Sequence, residues 1–230
     1  MSFYHQPRIV TNGLVFYMDA GNPNCYTGDG SIVYDLGPNK SDGSLGTTTF
    51  NPANLGAFVI DASKDFIQTH GISGYSYTEA HTYSAWIYPV TVSGYKWIIQ
   101  NNDSATPNGT SLILDDIHAD KAIGFICRGG AQVRWGSAIV NINEWSNVTT
   151  VYHGNLTVSF YKNGVFDVSI DTGAISWTGV NYNPGIGSTP EGSNNYTFQG
   201  RIATAQIYNR ALNDVEVLQN YNALKGRYGL

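Results

Sequence analysis

Charge is scarce in this chain. Of 230 residues only 13% are Asp, Glu, Lys or Arg, roughly half the ordinary share. The 12 Lys and Arg are scattered singly and the formal net charge is −5, so no dense positive field exists to hold nucleic-acid phosphates, and no nucleic-acid partner is expected. Cysteine is nearly absent too. Cys25 and Cys127 do not form the close pair that a metal ribbon or redox motif needs, so two ordinary thiols are expected, although spacing alone leaves a disulfide between them open. No apolar run approaches the roughly 18 residues that span a bilayer, so no membrane partner is expected. The first residues, Met1 to Arg8, lack the charged-then-apolar order of a secretory signal, so none is predicted. Signatures of catalysis are missing as well. There is no H-E-x-x-H, no G-x-S-x-G and no G-x-x-x-x-G-K, and His5, His70, His81, His118 and His153 show no metal-site spacing. Glycosidases of sandwich folds place two carboxylates on one strand at alternate positions, but here the nearest acids are the adjacent Asp115-Asp116 and the separated Asp61 and Asp65. The chain reads as a non-enzyme without a certain cofactor.

What is abundant is material for strands and tight turns. The sequence carries 16 Tyr and 26 Gly, with many Asn, Ser and Thr; aromatic and β-branched side chains suit pleated surfaces, and Gly and Asn tolerate positive φ. Short apolar segments recur between turn clusters, among them residues 14–18, 57–61, 83–88, 97–100, 112–114, 123–127, 146–152, 157–161, 165–170 and 201–208. They have strand length rather than helix length, and their number asks for two packed sheets. Asn163-Gly164, flanked by β-formers, predicts a two-residue hairpin turn. In Ile202 to Tyr208 the period of two places Ala203 and Ala205 on one face with Ile207, leaving room for something bulky to pack close. One helix is predicted, at the C-terminal end, where Asn213 caps, Glu216 reaches back, and Val215, Leu218 and Tyr221 recur at helical spacing before Gly226 stops it.

Three groups of segments together resemble the laminin G-like, concanavalin A-like domains of tailed-bacteriophage tail and capsid-associated proteins. Gly13 to Pro23, Tyr34-Asp35-Leu36 and Asp42-Gly43-Ser44-Leu45 are similar to that family's opening strand and its "YDLSGN...NGTL" turn, with Gly37-Pro38-Asn39 in place of Ser-Gly-Asn. Ala57 to Ala62 with Asp65-Phe66-Ile67 resembles its "FDG...DYI" pair, Tyr83 to Pro89 its "ISAWIKP" strand, and Trp145 to Val148 its "WHHV". Phe198 to Ala203, Gln206 to Leu212 and Gln219 to Tyr228 look like the closing strand and C-terminal helix of the phage branch. The resemblance implies an all-β, two-sheet antiparallel jelly-roll sandwich over residues 13–230, closed by a short helix and preceded by an arm, residues 1–12. It implies a virion structural or decoration protein, made in the host cytoplasm, that binds neighbouring capsid or tail subunits as a homo-oligomer or lattice. The alternative is a lectin-like adhesin for host glycans. Its contacts would come from loops near 101–110 and 184–195, with Asn102, Asp103 and Asn194 as candidates, and from the less constrained aromatics Trp97, Trp135 and Trp177, since a polar-edged ring offers a sugar both an apolar face and a hydrogen bond. Trp86 and Trp145, inside strand motifs, are assigned to the core. Related domains often hold calcium through carboxylates, which makes Asp61, Asp65, Asp103, Asp115 and Asp116 the candidate ligands; the competing reading is that these acids cap turns.

Overall fold

The Asn163-Gly164 turn has the conformation the sequence demands. In a computed structural model, which describes residues 7–62, 65–102, 109–117, 120–128, 132–173, 183–188 and 196–230, both residues have positive φ, 52° and 75°. Two strands pair antiparallel on either side of the turn.

Sixteen strands are present among the described residues: Leu14–Asp19 (β1), Ile32–Val33 (β2), Gly43–Leu45 (β3), Thr49–Asn51 (β4), Ala57–Ile60 (β5), Ile67–Thr69 (β6), His81–Pro89 (β7), Lys96–Asn102 (β8), Gly109–Asp115 (β9), Ala122–Arg128 (β10), Gln132–Ile139 (β11), Ser146–Tyr152 (β12), Thr157–Lys162 (β13), Val165–Asp171 (β14), Gly185–Ile186 (β15) and Gly200–Tyr208 (β16). The first sheet runs β14-β13-β12-β7-β16-β5-β4, with β1 also pairing to β16; the second runs β11-β10-β9-β8-β15-β6-β3-β2. Pairing between these strands is antiparallel, as the jelly-roll expectation requires. The period of two decides which side chains fill the space between the sheets. From β7 these are Tyr83, Ala85 and Ile87, and from β9 Leu112 and Leu114. Trp86 and Ile113, one step out of phase, belong to separate apolar clusters.

The family motif around Tyr34-Asp35-Leu36 owes its residues to hydrogen-bond demand. The buried Asp35 carboxylate accepts from the backbone N–H of Tyr17 (2.9 Å), Gly37 (2.7 Å) and Ser41 (2.9 Å), and a Cβ on Gly37 would lie 2.8 Å from Asp35 Oδ1. A loop that folds back on itself under a sheet must satisfy such donors internally.

Two local expectations need correction. Ala203 and Ala205 do not share a face: the register of β16 against β7 shifts between Ile202 and Thr204, so Ala205 and Ile207 enter the inter-sheet core while Ala203 joins Trp86 and Tyr228 outside it. The helix forms at Asp214–Leu224 (α1) with the Asn213–Glu216 capping box in place, but Val215 and Leu218 face solvent, at 74% and 43% exposure. Val217 and Asn220 are buried instead. Asn220 is held because its Oδ1 accepts from Val10 N–H and its Nδ2 donates to Tyr208 Oη, which donates to the Val10 carbonyl. This polar clasp draws α1 and residues 8–10 of the expected arm onto the domain, and Gln219 adds a bond to the Arg8 carbonyl. Residues 1–6 lie outside the described residues. The chain continues past α1 as a 3-10 turn, Lys225–Tyr228, and ends it at Gly229 (φ 74°) rather than at Gly226. Cys25 and Cys127 are buried thiols, as expected.

At one end of the sandwich the edge strands are stitched together. β14 carries a bulge, with Tyr161 opposite Phe166 and Phe160 opposite Val168. The extra residue, Asp167, accepts from the N–H groups of Ser137 (2.6 Å) and Ala138 (2.9 Å) in β11 and from the Ser137 hydroxyl. Arg134 adds bonds to the Asp171 and Thr172 carbonyls.

Candidate functional site

Of the acids singled out as calcium ligands, Asp65, Asp115 and Asp116 serve turns or strand ends. Asp65 is buried; its carboxylate accepts from Asp61 N–H (3.0 Å), Ala62 N–H (2.8 Å) and the Thr47 hydroxyl (2.6 Å). Burial alone would raise its pKa, but these hydrogen bonds bring the carboxyl below its ordinary value. Asp115 accepts from Ile117 N–H (2.8 Å) and from the Trp135 indole (2.5 Å), and Asp116 from Gly94 N–H (2.5 Å). Asp103 lies outside the described residues. Among the described residues no group of three or more His, Cys, Asp or Glu side chains converges.

Of the aromatic candidates, Trp97 and Trp135 are among the described residues, and both lie on strands. Trp97 is packed against Ile113 and Ile126 with its ring 4.9 Å from that of Tyr196, and only 2% of it is exposed. Trp135 stands opposite Gly124 on β10, and its indole donates to Asp115 (2.5 Å). Asn102 ends β8, and its side chain is not described; Trp177 and Asn194 lie outside the described residues.

A different set of residues forms an open groove on the outer face of the first sheet. Antiparallel pairing aligns Thr49 (β4), Val59 (β5), Arg201 (β16) and Tyr88 (β7) in one row across four strands. Around the row, Asn51, Val59, Asp61, Val90, Thr91, Gln199, Gly200 and Arg201 line a cavity of about 390 Å³. Gly200 is required there: at φ 150° its added Cβ would sit 2.2 Å from the Tyr88 carbonyl, so only glycine lets β16 run this close to β7.

The Arg201 guanidinium lies over the Tyr88 ring, 4.8 Å from its centroid, a cation–π contact. Behind Tyr88 stands a ladder of rings: Trp145 at 5.5 Å, then Tyr228 at 4.6 Å, Trp86 at 4.2 Å and Tyr221 at 5.6 Å. Trp86 is therefore a core residue, as expected, but of the small cluster beneath the C-terminal turn rather than of the inter-sheet core. Trp145 is half-buried and links that cluster to the groove. Small residues at Ala57 and Ala203 make room for Tyr228 on the sheet.

The polar groups of this groove are only partly engaged: Asn51 Oδ1 accepts from Ala53 N–H (2.8 Å), and the Asp61 carboxyl interacts with that of Asp65. Among the described residues Arg201 makes no ion pair, and the Gln199 and Thr91 side chains make no hydrogen bond. Asp61 is exposed, and its pKa is raised by desolvation and by neighbouring Asp65.

A larger cavity of about 430 Å³ beside Asp19, Asn22, Leu55 and Arg227 presents the opposite case. There Arg227 donates to Asp19 (2.5 Å) and to the Leu55 and Gly56 carbonyls, while Asp19 also accepts from Gly21 N–H and the Tyr17 hydroxyl. Those groups clasp the C-terminal turn to β1 and have nothing left to offer a ligand.

Of the sequence candidates among the described residues, only Asp61 lines the groove. Tyr88, Arg201 and Gln199 were missed because their alignment depends on pairing between β5, β16 and β7, which are remote in sequence. The one available signal was the Gln199-Gly200-Arg201 segment within the family motif.

No curated protein matches the sequence. Among solved structures, the chain is similar to the binding domain of Paraclostridial Mosquitocidal Protein 1 (TM-score 0.71, 18% identity, 92% of this chain and 52% of that one). It is also similar to the botulinum neurotoxin serotype D binding domain (0.69, 15%, 92% and 52%). Domain 4 of AbnA, an extracellular arabinanase from Geobacillus stearothermophilus solved in complex with arabinotriose, matches with a TM-score of 0.70 at 17% identity, over 92% of this chain and 100% of that one. The chain thus spans about half the length of the toxin binding domains and the whole of the arabinanase domain. These likenesses carry the jelly-roll fold. They overturn the phage resemblance, and with it the virion location and the role of binding capsid or tail subunits, because the matching structures are toxin binding domains and an arabinanase domain rather than particle components. The family model for the concanavalin A-like lectin/glucanases superfamily matches residues 61–218, more than half of the sequence, and the chain belongs to that superfamily.

Proposed function

We propose that this chain is a non-catalytic carbohydrate-binding module whose ligand lies in the groove between Asn51, Asp61, Gln199 and Arg201, against the Tyr88–Trp145 aromatic strip. The observation that carries this reading is the contrast between the two cavities: among the described residues the groove leaves the Gln199 and Thr91 side chains without a hydrogen bond and Arg201 without an ion pair beside the Tyr88 ring, while the larger cavity pairs Arg227 with Asp19. A cavity near 390 Å³ with a few convergent polar groups is the usual form of a small-ligand site. The full-length likeness to an arabinanase domain solved with arabinotriose supports the same ligand class.

Titration calorimetry of the protein against a panel of linear polysaccharides (arabinan, galactan, xylan and mixed-linkage glucan) tests the reading. Saturable binding to at least one polymer is expected, weakened about tenfold by Tyr88→Ala or Trp145→Ala, since stacking and packing contacts of this size contribute about 1–2 kcal/mol. Absence of binding across the panel, or binding that both variants leave intact, sinks it.

A further inference from the structure

Resting on that reading, we infer that the groove takes an interior stretch of an uncharged polysaccharide, gripped through its hydroxyls by Arg201 as donor and Asp61 as acceptor. The groove's two charged side chains have opposite and complete specialities. A guanidinium only donates hydrogen bonds and an ionised carboxylate only accepts them. Both line the same cavity, and they do not pair with each other. A hydroxyl both donates and accepts, so a polyol satisfies both ends at once. An anionic substituent would satisfy Arg201 and be repelled by Asp61, whose neighbour Asp65 brings a second carboxylate hydrogen-bonded to the Asp61 backbone. The net charge of −5 acts in the same direction. A cationic substituent would meet Arg201. Gln199 and Thr91 carry both donor and acceptor atoms and suit the same hydroxylated ligand.

The shape of the groove selects the middle of a chain over its end. The row from Thr49 to Tyr88 crosses three strand spacings, about 14 Å at the usual inter-strand distance. Asp61, Val90 and Thr91 on its rim are exposed, Val90 by 51%. A polymer therefore passes across the strands without its terminus being enclosed.

The test uses the same neutral polysaccharides, each alongside its carboxymethylated derivative, at low and high sodium chloride, with the intact chain and the Asp61→Asn and Arg201→Gln variants. A neutral polymer should bind with affinity that salt changes less than about twofold, its carboxymethylated form about tenfold more weakly. Asp61→Asn should narrow the difference between the two forms, and Arg201→Gln should weaken the neutral polymer about tenfold. Borohydride reduction of the polymer's reducing ends should leave its affinity unchanged. Tighter binding of the carboxymethylated polymer, a steep loss with salt, or sensitivity to end reduction overturns the inference. Binding that Tyr88→Ala weakens but Asp61→Asn and Arg201→Gln leave unaltered overturns the inference while leaving the carbohydrate-binding reading standing. If no polymer binds, charged or neutral, both fall.

Discussion

Lowering the pH should weaken this fold through one histidine. His81, at the start of β7, is fully buried among the rings of Tyr75, Tyr83, Phe125 and Tyr152. Its Nδ1 lies 2.8 Å from the Glu79 carbonyl, which only accepts, so Nδ1 carries the proton and Nε2 accepts from Thr110 Oγ1 at 3.0 Å. The direction then propagates: Thr110 accepts from the Tyr83 hydroxyl (2.8 Å), which accepts from Tyr75. Among the described residues no carboxylate side chain faces the ring to welcome a second proton, and burial holds the imidazole at about 4, against 6.5 in the open chain. The unfolded chain therefore takes up a proton that the folded one refuses. The contribution is fully present above pH 6.5 and is lost as pH falls toward 4. A difference of this size corresponds to about 3 kcal/mol, or roughly 6–12 °C in Tm for a domain of this length. His81→Gln keeps an amide donor for Glu79 and an acceptor for Thr110 but cannot titrate. Urea unfolding of both proteins from neutral pH down to about pH 4 isolates the term: the native chain should lose about 3 kcal/mol more than the variant over that range. Parallel losses, within about 0.5 kcal/mol, would refute the neutral buried imidazole.

Other consequences of the architecture are open to direct measurement. Asp35→Ala leaves three backbone donors without their acceptor and should cost about 3 kcal/mol or more in denaturant unfolding. Tyr228→Ala removes a ring packed between Trp86 and Trp145 and should cost about 3 kcal/mol, with a change in near-ultraviolet dichroism from the disturbed indoles. Gly164→Ala forces a Cβ to within 2.8 Å of Tyr221 at φ 75° and should destabilise the hairpin by more than about 1 kcal/mol, read as faster hydrogen exchange in β13 and β14. Burial pushes the Cys25 thiol up to about 12 and Cys127 to about 11; native protein should react slowly with a disulfide reagent at mildly alkaline pH, at rates that rise sharply on unfolding, and a reductant should leave its Tm unchanged.

Local chemistry explains what could be read before folding was known. Asn163-Gly164 and the Asn213–Glu216 box act over two to four residues, so the sequence contains the whole interaction. The face of α1 was misread because the helix is held by Asn220, a buried polar residue whose partners Val10 and Tyr208 are distant in the chain; apolar periodicity gives such a contact no weight. Ala203 was misplaced by a single-residue register shift, which reverses the facing of everything on one side of it. The groove was hidden for a related reason. Arg201, Val59 and Tyr88 are unremarkable alone and become a site only when β16 is threaded between β5 and β7. Turn caps and calcium loops draw on the same short carboxylates, so the sequence alone could not separate the two uses; the backbone N–H groups around Asp65 and Asp115 show these two acids in the turn-capping role. The phage assignment rested on motifs that belong to the fold, and a fold is shared by proteins with unrelated duties.

The bulge at Asp167 has a consequence for crowded conditions. A sandwich with open ends can grow by accepting a strand from a neighbour, since each unpaired edge offers a row of amides to any passing chain. Here one carboxylate occupies two of those amides in β11 and bends β14 out of register, while the opposite edges, β4 and β2, are three and two residues long. Among the described residues, strand addition therefore meets a bent edge at β14, two occupied amides in β11 and only short edges at β4 and β2, each of which disfavours fusion of copies into a continuous sheet.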